Sequence, residues 1–273
     1  MTITSQIKSF YKRRINIPVK KGDLVLDIGS GDKPHWRADV LVDLYTDNSY
    51  GIQRSGDSKV KISKSLVVSP IEKLPFKDKS FDYVICSHVL EHVIDPQKSL
   101  VEIMRVGKAG YIEVPFEGAS KVVDYPSHLW YCRLERGVLV FTAKHKVAFD
   151  SIIDSLMQKR EMFYGFANLG QKYWDDFVIE LYWKDKVKFR VAGKASKNLF
   201  EKSKGEKAIH IKRNFFLRNV LNGAVSMFFW RKKNGKVDIQ MLMQCPECRS
   251  SLALKGSMAR CKNCAYKTKI LLP

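Results

Sequence analysis

Leu24-Val-Leu-Asp-Ile28 is a short apolar run that ends directly in Gly29-Ser-Gly31. A run without polar alternation fits a strand covered on both faces, the condition of a parallel sheet flanked by helices. Four more runs follow: 40–44, 65–69, 81–86 and 109–114, the last stopped by Pro115. Between the fourth and fifth runs, Asp95 is a good N-cap and Pro96 suits the first helical position. Leu100, Ile103 and Met104 recur at helical spacing and Gly107 supplies a stop. Strand, helix, strand in this order predicts a right-handed parallel crossover. The fold class expected is α/β, a mostly parallel sheet with helices on both faces.

Beyond Pro115 the pattern loosens. A strand is expected over 137–142 and a helix over 148–158. Runs 177–183 and 186–191, split by Lys184-Asp185, read as a hairpin. Residues 195–207 read as an exposed basic linker and 215–230 as an apolar-rich helix flanked by Lys and Arg. Residues 125–130, Tyr-Pro-Ser-His-Leu-Trp, read as an aromatic loop suited to gripping a sugar or ring.

The turn after the first run is the first candidate site. Glycines there let a backbone pass close to a ligand, and open α/β sheets bind ligands at the carboxyl ends of their strands. A dinucleotide fingerprint would want a third glycine where Pro34 stands, which argues against NAD. Asp43 ends the second run. It either caps a turn or accepts hydrogen bonds from the hydroxyls of a ribose.

The segments Ile71-Glu-Lys-Leu-Pro-Phe76, Ser80-Phe-Asp-Tyr-Val-Ile85 and Ser87-His-Val-Leu-Glu-His92 complete the series. Over roughly residues 24–115 the chain resembles the broad class I, Rossmann-like methyltransferase family that includes the ubiquinone- and menaquinone-type enzymes. The resemblance implies S-adenosylmethionine (SAM) as cofactor. By position, Asp27, Gly29, Ser30 and Gly31 would shape the pocket for its methionine end, and Asp43 would hold the ribose. The backbone near Ile71 and Glu72 would meet the adenine edge, and Ser87 and His88 would line the pocket mouth. The chain departs from the pattern twice. Pro70 stands where the family often has an acid reaching the adenine amine. Only eleven positions separate Gly31 from Asp43, too few for a helix and a strand, so the first crossover helix is expected to be trimmed to a turn. Both features, with the 105–115 segment, resemble a bacterial subgroup associated with surface-glycan genes.

Methyl transfer from a sulfonium is an in-line displacement that depends mainly on alignment and exclusion of water. A hydroxyl nucleophile is helped by a base within hydrogen-bond reach. His88, His92 and His128 are the catalytic candidates, each with a structural hydrogen-bonding role as its alternative.

Cys245-Pro-Glu-Cys248 and Cys261-Lys-Asn-Cys264 are paired C-x-x-C hooks with twelve residues between them. Such hooks supply two soft ligands each from tight turns, the donor set of a structural zinc ribbon. Short strands are expected at 250–255 and 266–272, in a unit too small to fold without its metal. The domain reading is therefore 1–194 for the SAM-binding domain, 195–240 for the basic linker and helix, and 241–273 for the ribbon. Cys86 and Cys132, in apolar surroundings, read as core thiols.

The formal net charge is +20, and residues 184–236 hold sixteen Lys and Arg against three acids. Such a balance favours anionic partners without choosing among them. The leading expectation is an O-methyltransferase for a polar small molecule or glycan precursor, cytoplasmic, with the 184–236 segment available to an anionic inner-membrane face. RNA is the alternative partner, as substrate of an RNA methyltransferase. A third reading is a SAM-fold scaffold without catalysis. No stretch of about eighteen uncharged apolar residues suggests a spanning helix, and the basic 8–14 segment is not followed by the apolar run of a secretory signal.

Overall fold

In the computed structural model, residues 11–47, 59–122, 127–145, 172–196 and 237–273 are described, together with Tyr125 and scattered positions between 162 and 201. The five apolar runs form β1 (Val25–Ile28), β2 (Val40–Asp43), β3 (Ser65–Val68), β4 (Phe81–Ser87) and β5 (Gly107–Pro115). They pair in parallel in the order β3-β2-β1-β4-β5. Central β1 is buried along its whole length. Leu26 and Ile28 pack into the main core, while Val25 joins Ile17, Tyr83, Ile85 and Tyr111 in a second cluster. Alternate side chains of a strand point to opposite faces, so burial of both sets explains the unbroken apolar runs. The strand order reverses between β1 and β4, which opens a crevice at their carboxyl ends.

Helix α1 (Pro96–Val106) makes the β4–β5 crossover. Asp95 Oδ1 accepts from Lys98 N at 2.9 Å, and Leu100, Ile103 and Val106 bury the inner face. Gly107 N donates to the Ile103 carbonyl and begins β5 at once. The fold is a Rossmann-like α/β fold. Between Gly31 and β2 the described chain forms turns and no helix, as the spacing predicts. The amino-terminal segment secures this loop. Arg14 donates to the carbonyls of Lys33 and Pro34 at 3.0 and 3.2 Å, and Trp36 Nε1 donates back to the Arg14 carbonyl at 2.7 Å.

After α2 (Glu117–Val122), β6 (Trp130–Glu135) and β7 (Val138–Ala143) form an antiparallel pair. Trp130, expected at the end of an aromatic loop, instead starts a strand. The expected hairpin does not form. β8 (Val178–Lys184) runs antiparallel to β5 over its full length, while β9 (Phe189–Ala192) pairs parallel with β7 in a separate three-stranded sheet. Asp185, with φ 63°, turns the chain between them, and Val187 is then buried with its N–H on Met104 Sδ. Packing against α1 thus draws the chain away from its own preceding strand. The helix expected at 148–158, most of the 195–207 linker and the 215–230 helix lie outside the described residues.

The cysteine tail has three antiparallel strands, β10 (Leu252–Lys255), β11 (Met258–Cys261) and β12 (Lys267–Leu271). β11 adds to the two expected strands. β12 also pairs antiparallel with β3, matching Ile270 to Val67 and Leu271 to Leu66. One nine-stranded sheet results, in the order β10-β11-β12-β3-β2-β1-β4-β5-β8. Ile270, Ala259, Leu252, Met243 and Ile239 are buried in the same core as β1. No helix among the described residues is long and apolar enough to cross a membrane.

Candidate active site

Gly29 and Gly31 adopt φ values of 68° and 51°, the left-handed region that glycine enters without strain. A Cβ on Gly29 would also lie 2.3 Å from Val89 Cγ2. The turn after β1 therefore packs directly against the segment after β4. Gly29 N donates to the Val42 carbonyl at 2.8 Å, and Gly31 N donates to Asp43 Oδ2 at 2.9 Å. Asp43 Oδ1 accepts from Tyr45 N at 3.0 Å. The carboxylate closes the turn, the first of the two sequence readings of Asp43, and sits at the carboxyl ends of β1 and β2, where open α/β sheets bind their ligands.

Asp27 is buried, and its Oδ2 accepts from His35 N at 2.7 Å. Burial pushes its carboxyl up to about 6, against the opposing effects of that hydrogen bond and of Arg14. Ser30 Oγ is buried with no hydrogen-bond partner among the described residues. An orphaned hydroxyl at a turn between two strand ends fits a polar ligand there. The Ile71–Lys73 segment is a single 3₁₀ turn. Ser69 N reaches the Asp43 carbonyl at 3.2 Å, which fastens this turn beside the ends of β1 and β2. Burial raises the Glu72 carboxyl above its ordinary value. The residues assigned to SAM thus come together at the carboxyl edge of the sheet, and their donor set fits a nucleoside with a polar tail.

The histidines gather after β4. His88 takes φ 54°, a strained conformation for a residue with a side chain, costing on the order of 1–3 kcal/mol. Two buried carboxylates hold it there. Nε2 lies 2.9 Å from Glu113 Oε1, and Nδ1 lies 3.2 Å from Glu91 Oε1. Burial works against a charge on this ring, but the hydrogen bonds and charges of Glu113 and Glu91 prevail and raise its pKa to about 9. Glu113 also accepts from Ser87 Oγ at 2.7 Å and Tyr111 OH at 2.6 Å. His92 and His128 meet with ring centroids 4.8 Å apart, and burial lowers the pKa of both. Sequence reading found the three histidines and missed Glu91, Glu113 and Tyr111. The signal for Glu113 was an acid inside an apolar strand, Tyr-Ile-Glu-Val.

The four tail cysteines also converge. Sγ separations are 3.5 Å for Cys245–Cys264, 3.4 Å for Cys248–Cys261 and 3.7 Å for Cys248–Cys264. Four thiolates at the usual zinc–sulfur distance sit about 3.8 Å apart at the corners of a tetrahedron, so the cluster fits zinc with a small expansion.

Residues 26–112 match the family model described as a methyltransferase domain. A demethylmenaquinone methyltransferase of Paenarthrobacter aurescens is 33% identical over 129 residues, 46% of this chain and 51% of the relative. That of Renibacterium salmoninarum is 35% identical over 92 residues, 33% of this chain and 38% of the relative. The chain spans about half the length of these relatives or less. A solved Pyrococcus horikoshii structure covers 67% of this chain and 91% of its own, at 17% identity and a TM-score of 0.37.

Proposed function

We propose, from the methyltransferase domain that residues 26–112 match, that the chain is a SAM-dependent methyltransferase acting on a hydroxyl of a polar small molecule or surface-glycan precursor. The carrying observation is the clasp at the ends of β1 and β2, where the Asp43 carboxylate closes the Gly29–Gly31 turn at the carboxyl edge of the sheet, beside the orphaned Ser30 hydroxyl. Asp27, Gly29, Ser30 and Gly31 would surround the methionine end of SAM, Asp43 its ribose, and Ile71 and Glu72 its adenine edge. Bound SAM supplies a methyl group already activated by the sulfonium charge.

The protein's own work is alignment. Ser87 and His88 stand at the mouth, beside the end of β5. Held between Glu113 and Glu91, His88 is an imidazolium at neutral pH and a hydrogen-bond donor. Both of its N–H groups are taken up by these carboxylates, so it positions Glu113 and Glu91 beside the mouth rather than bonding to the acceptor oxygen, and their charge balances its own.

Calorimetry with SAM tests the pocket. Asp43→Ala should weaken binding by about 1.5–3 kcal/mol, the worth of hydrogen bonds to a charged group. Asp43→Asn keeps the shape of the clasp and should weaken binding less. Unchanged affinity in both folded variants would refute the assignment. Labelled SAM offered with nucleotide sugars, lipid-linked glycans and RNA then tests the acceptor, and label on RNA alone would overturn the hydroxyl-metabolite reading.

A further inference from the structure

Beside the His88 pair lies a group of donors with no use in cofactor binding. Glu91 Oε2 and His128 Nδ1 are both buried and have no hydrogen-bond partner among the described residues. Glu91 is fully buried and His128 is 9% exposed. Leaving such atoms unpaired in a protein interior is costly, most of all for a carboxylate. Two orphans in one place therefore indicate a missing partner.

The third donor is set by its far side. His92 Nδ1 lies 2.8 Å from the Ser127 carbonyl, which can only accept, so Nδ1 carries the hydrogen. Nε2 is then left with a lone pair, 3.8 Å from Glu91 Oε1. Two acceptors facing one another repel unless a cation lies between them. A backbone carbonyl that fixes the tautomer of an imidazole is the usual outer support of a metal-ligating histidine. One donor atom from each of Glu91, His92 and His128 falls within 4.8 Å of the others. Nitrogen and oxygen ligands of one tetrahedral cation sit about 3.4 Å apart, so loading would draw the group in by about 1 Å, a side-chain adjustment.

We propose that Glu91, His92 and His128 form a second metal site, separate from the cysteine cluster, which takes a divalent transition-metal cation such as zinc or iron(II). Two imidazoles and a carboxylate suit these ions and not calcium or magnesium, which prefer all-oxygen sets. Lys144, itself buried, turns its Nζ to the Tyr125 carbonyl at 2.8 Å. Local bonding holds the three donors together. Leu129 N donates to the Glu91 carbonyl at 2.7 Å and Trp130 Nε1 to the Val93 carbonyl at 2.8 Å, joining the segment after β4 to the segment before β6.

Three protein ligands leave coordination positions for a further ligand. An acceptor hydroxyl bound there would lose its proton more readily. That role rests on the methyltransferase reading, whereas metal binding does not.

The test uses the full chain, stripped of metal and titrated with cobalt(II) and, by equilibrium dialysis, with zinc, in the absence of SAM and any acceptor. The wild type should bind two equivalents. One carries the intense charge-transfer absorption of thiolate ligation and the other only the weak visible bands of nitrogen and oxygen ligands. His128→Ala and Glu91→Gln should each lose the second kind and keep the first. Cys261→Ser should abolish the first and keep the second. Circular dichroism checks that each variant folds, and the isosteric Glu91→Gln decides if His128→Ala does not. A wild type that binds one equivalent, lost entirely in Cys261→Ser, overturns the proposal, as does a second equivalent that survives in folded Glu91→Gln. Because no methyl transfer is measured, a failed methyltransferase assay leaves this result untouched.

Discussion

Truncating Ile270 tests whether the cysteine tail is part of the main sheet or an appendage. Ile270 lies on β12, pairs with Val67 of β3, and is 1% exposed within the core that contains Leu26 and Ile28. Removing such a side chain costs about 2–5 kcal/mol. Its same-face neighbour Thr268 is also buried, while Lys269 and Lys267 stand on the opposite, exposed face, and about 2–3 kcal/mol is expected for Ile270→Ala. At about 2–4 °C per kcal/mol for a domain near this size, the midpoint should fall by roughly 4–12 °C. Leu272→Ala, at a residue 64% exposed two positions on, should change stability by no more than about 0.5 kcal/mol. Thermal unfolding should be read alongside amide hydrogen exchange in β3 and β2. Protection there should drop in Ile270→Ala, because β12 supplies the backbone partners of the β3 edge. A variant that loses protection only in β10–β12, with the main transition unmoved, would refute the view of one continuous sheet.

The remaining predictions concern charge and metal. Burial raises Asp27 to about 6, so the folded chain takes up its proton more readily than the unfolded chain. Ionising it therefore costs stability as pH rises through about 6, while affinity for the sulfonium cation is present above that value and lost as pH falls through it. SAM affinity measured from mildly acidic to neutral pH should rise in the wild type and stay flat in Asp27→Asn; a flat wild-type profile would remove Asp27 from the methionine pocket. If the cysteine cluster holds zinc, chelation should deprotect β10–β12 to hydrogen exchange, since these strands close around Cys245, Cys248, Cys261 and Cys264. A fully protected tail in metal-free protein would count against a structural metal there.

The five central strands were legible because burial on both faces demands apolar runs. Asp95-Pro96 and Gly107 marked α1 equally well, because caps act locally. The hairpin reading of 177–191 failed for a long-range reason. Strand propensity shows that both segments are extended but carries no record of partner, and β5 and β7 lie far back in the chain. Antiparallel pairing with the nearest run is the cheapest guess in loop-closure terms, yet burial of Val187 against Met104 outweighs it. β11 was hidden for another reason. Met258-Ala-Arg-Cys261 is too short and polar to register as a strand from its own residues, and its pairing with β10 and β12 is what makes it one.

At the candidate site, legibility followed the kind of constraint. Gly29, Gly31 and Asp43 follow from backbone geometry, because only glycine tolerates the turn and only a short acid reaches back from β2 to Gly31 N. The histidine group does not. His88 and His92 are near in sequence, but His128 comes from a segment dozens of residues away, and their meeting depends on the bonds from Leu129 and Trp130 to the segment after β4. Glu91 and Glu113 escaped notice because an acid in sequence reads as a solvated surface group. Their meaning lies in complete burial, which desolvates each carboxylate and makes a partner obligatory. Glu113 finds that partner in Ser87, Tyr111 and His88. Glu91 satisfies only one oxygen through His88, and the imbalance between these two acids is what separates a closed structural pair from a site still able to take a cation.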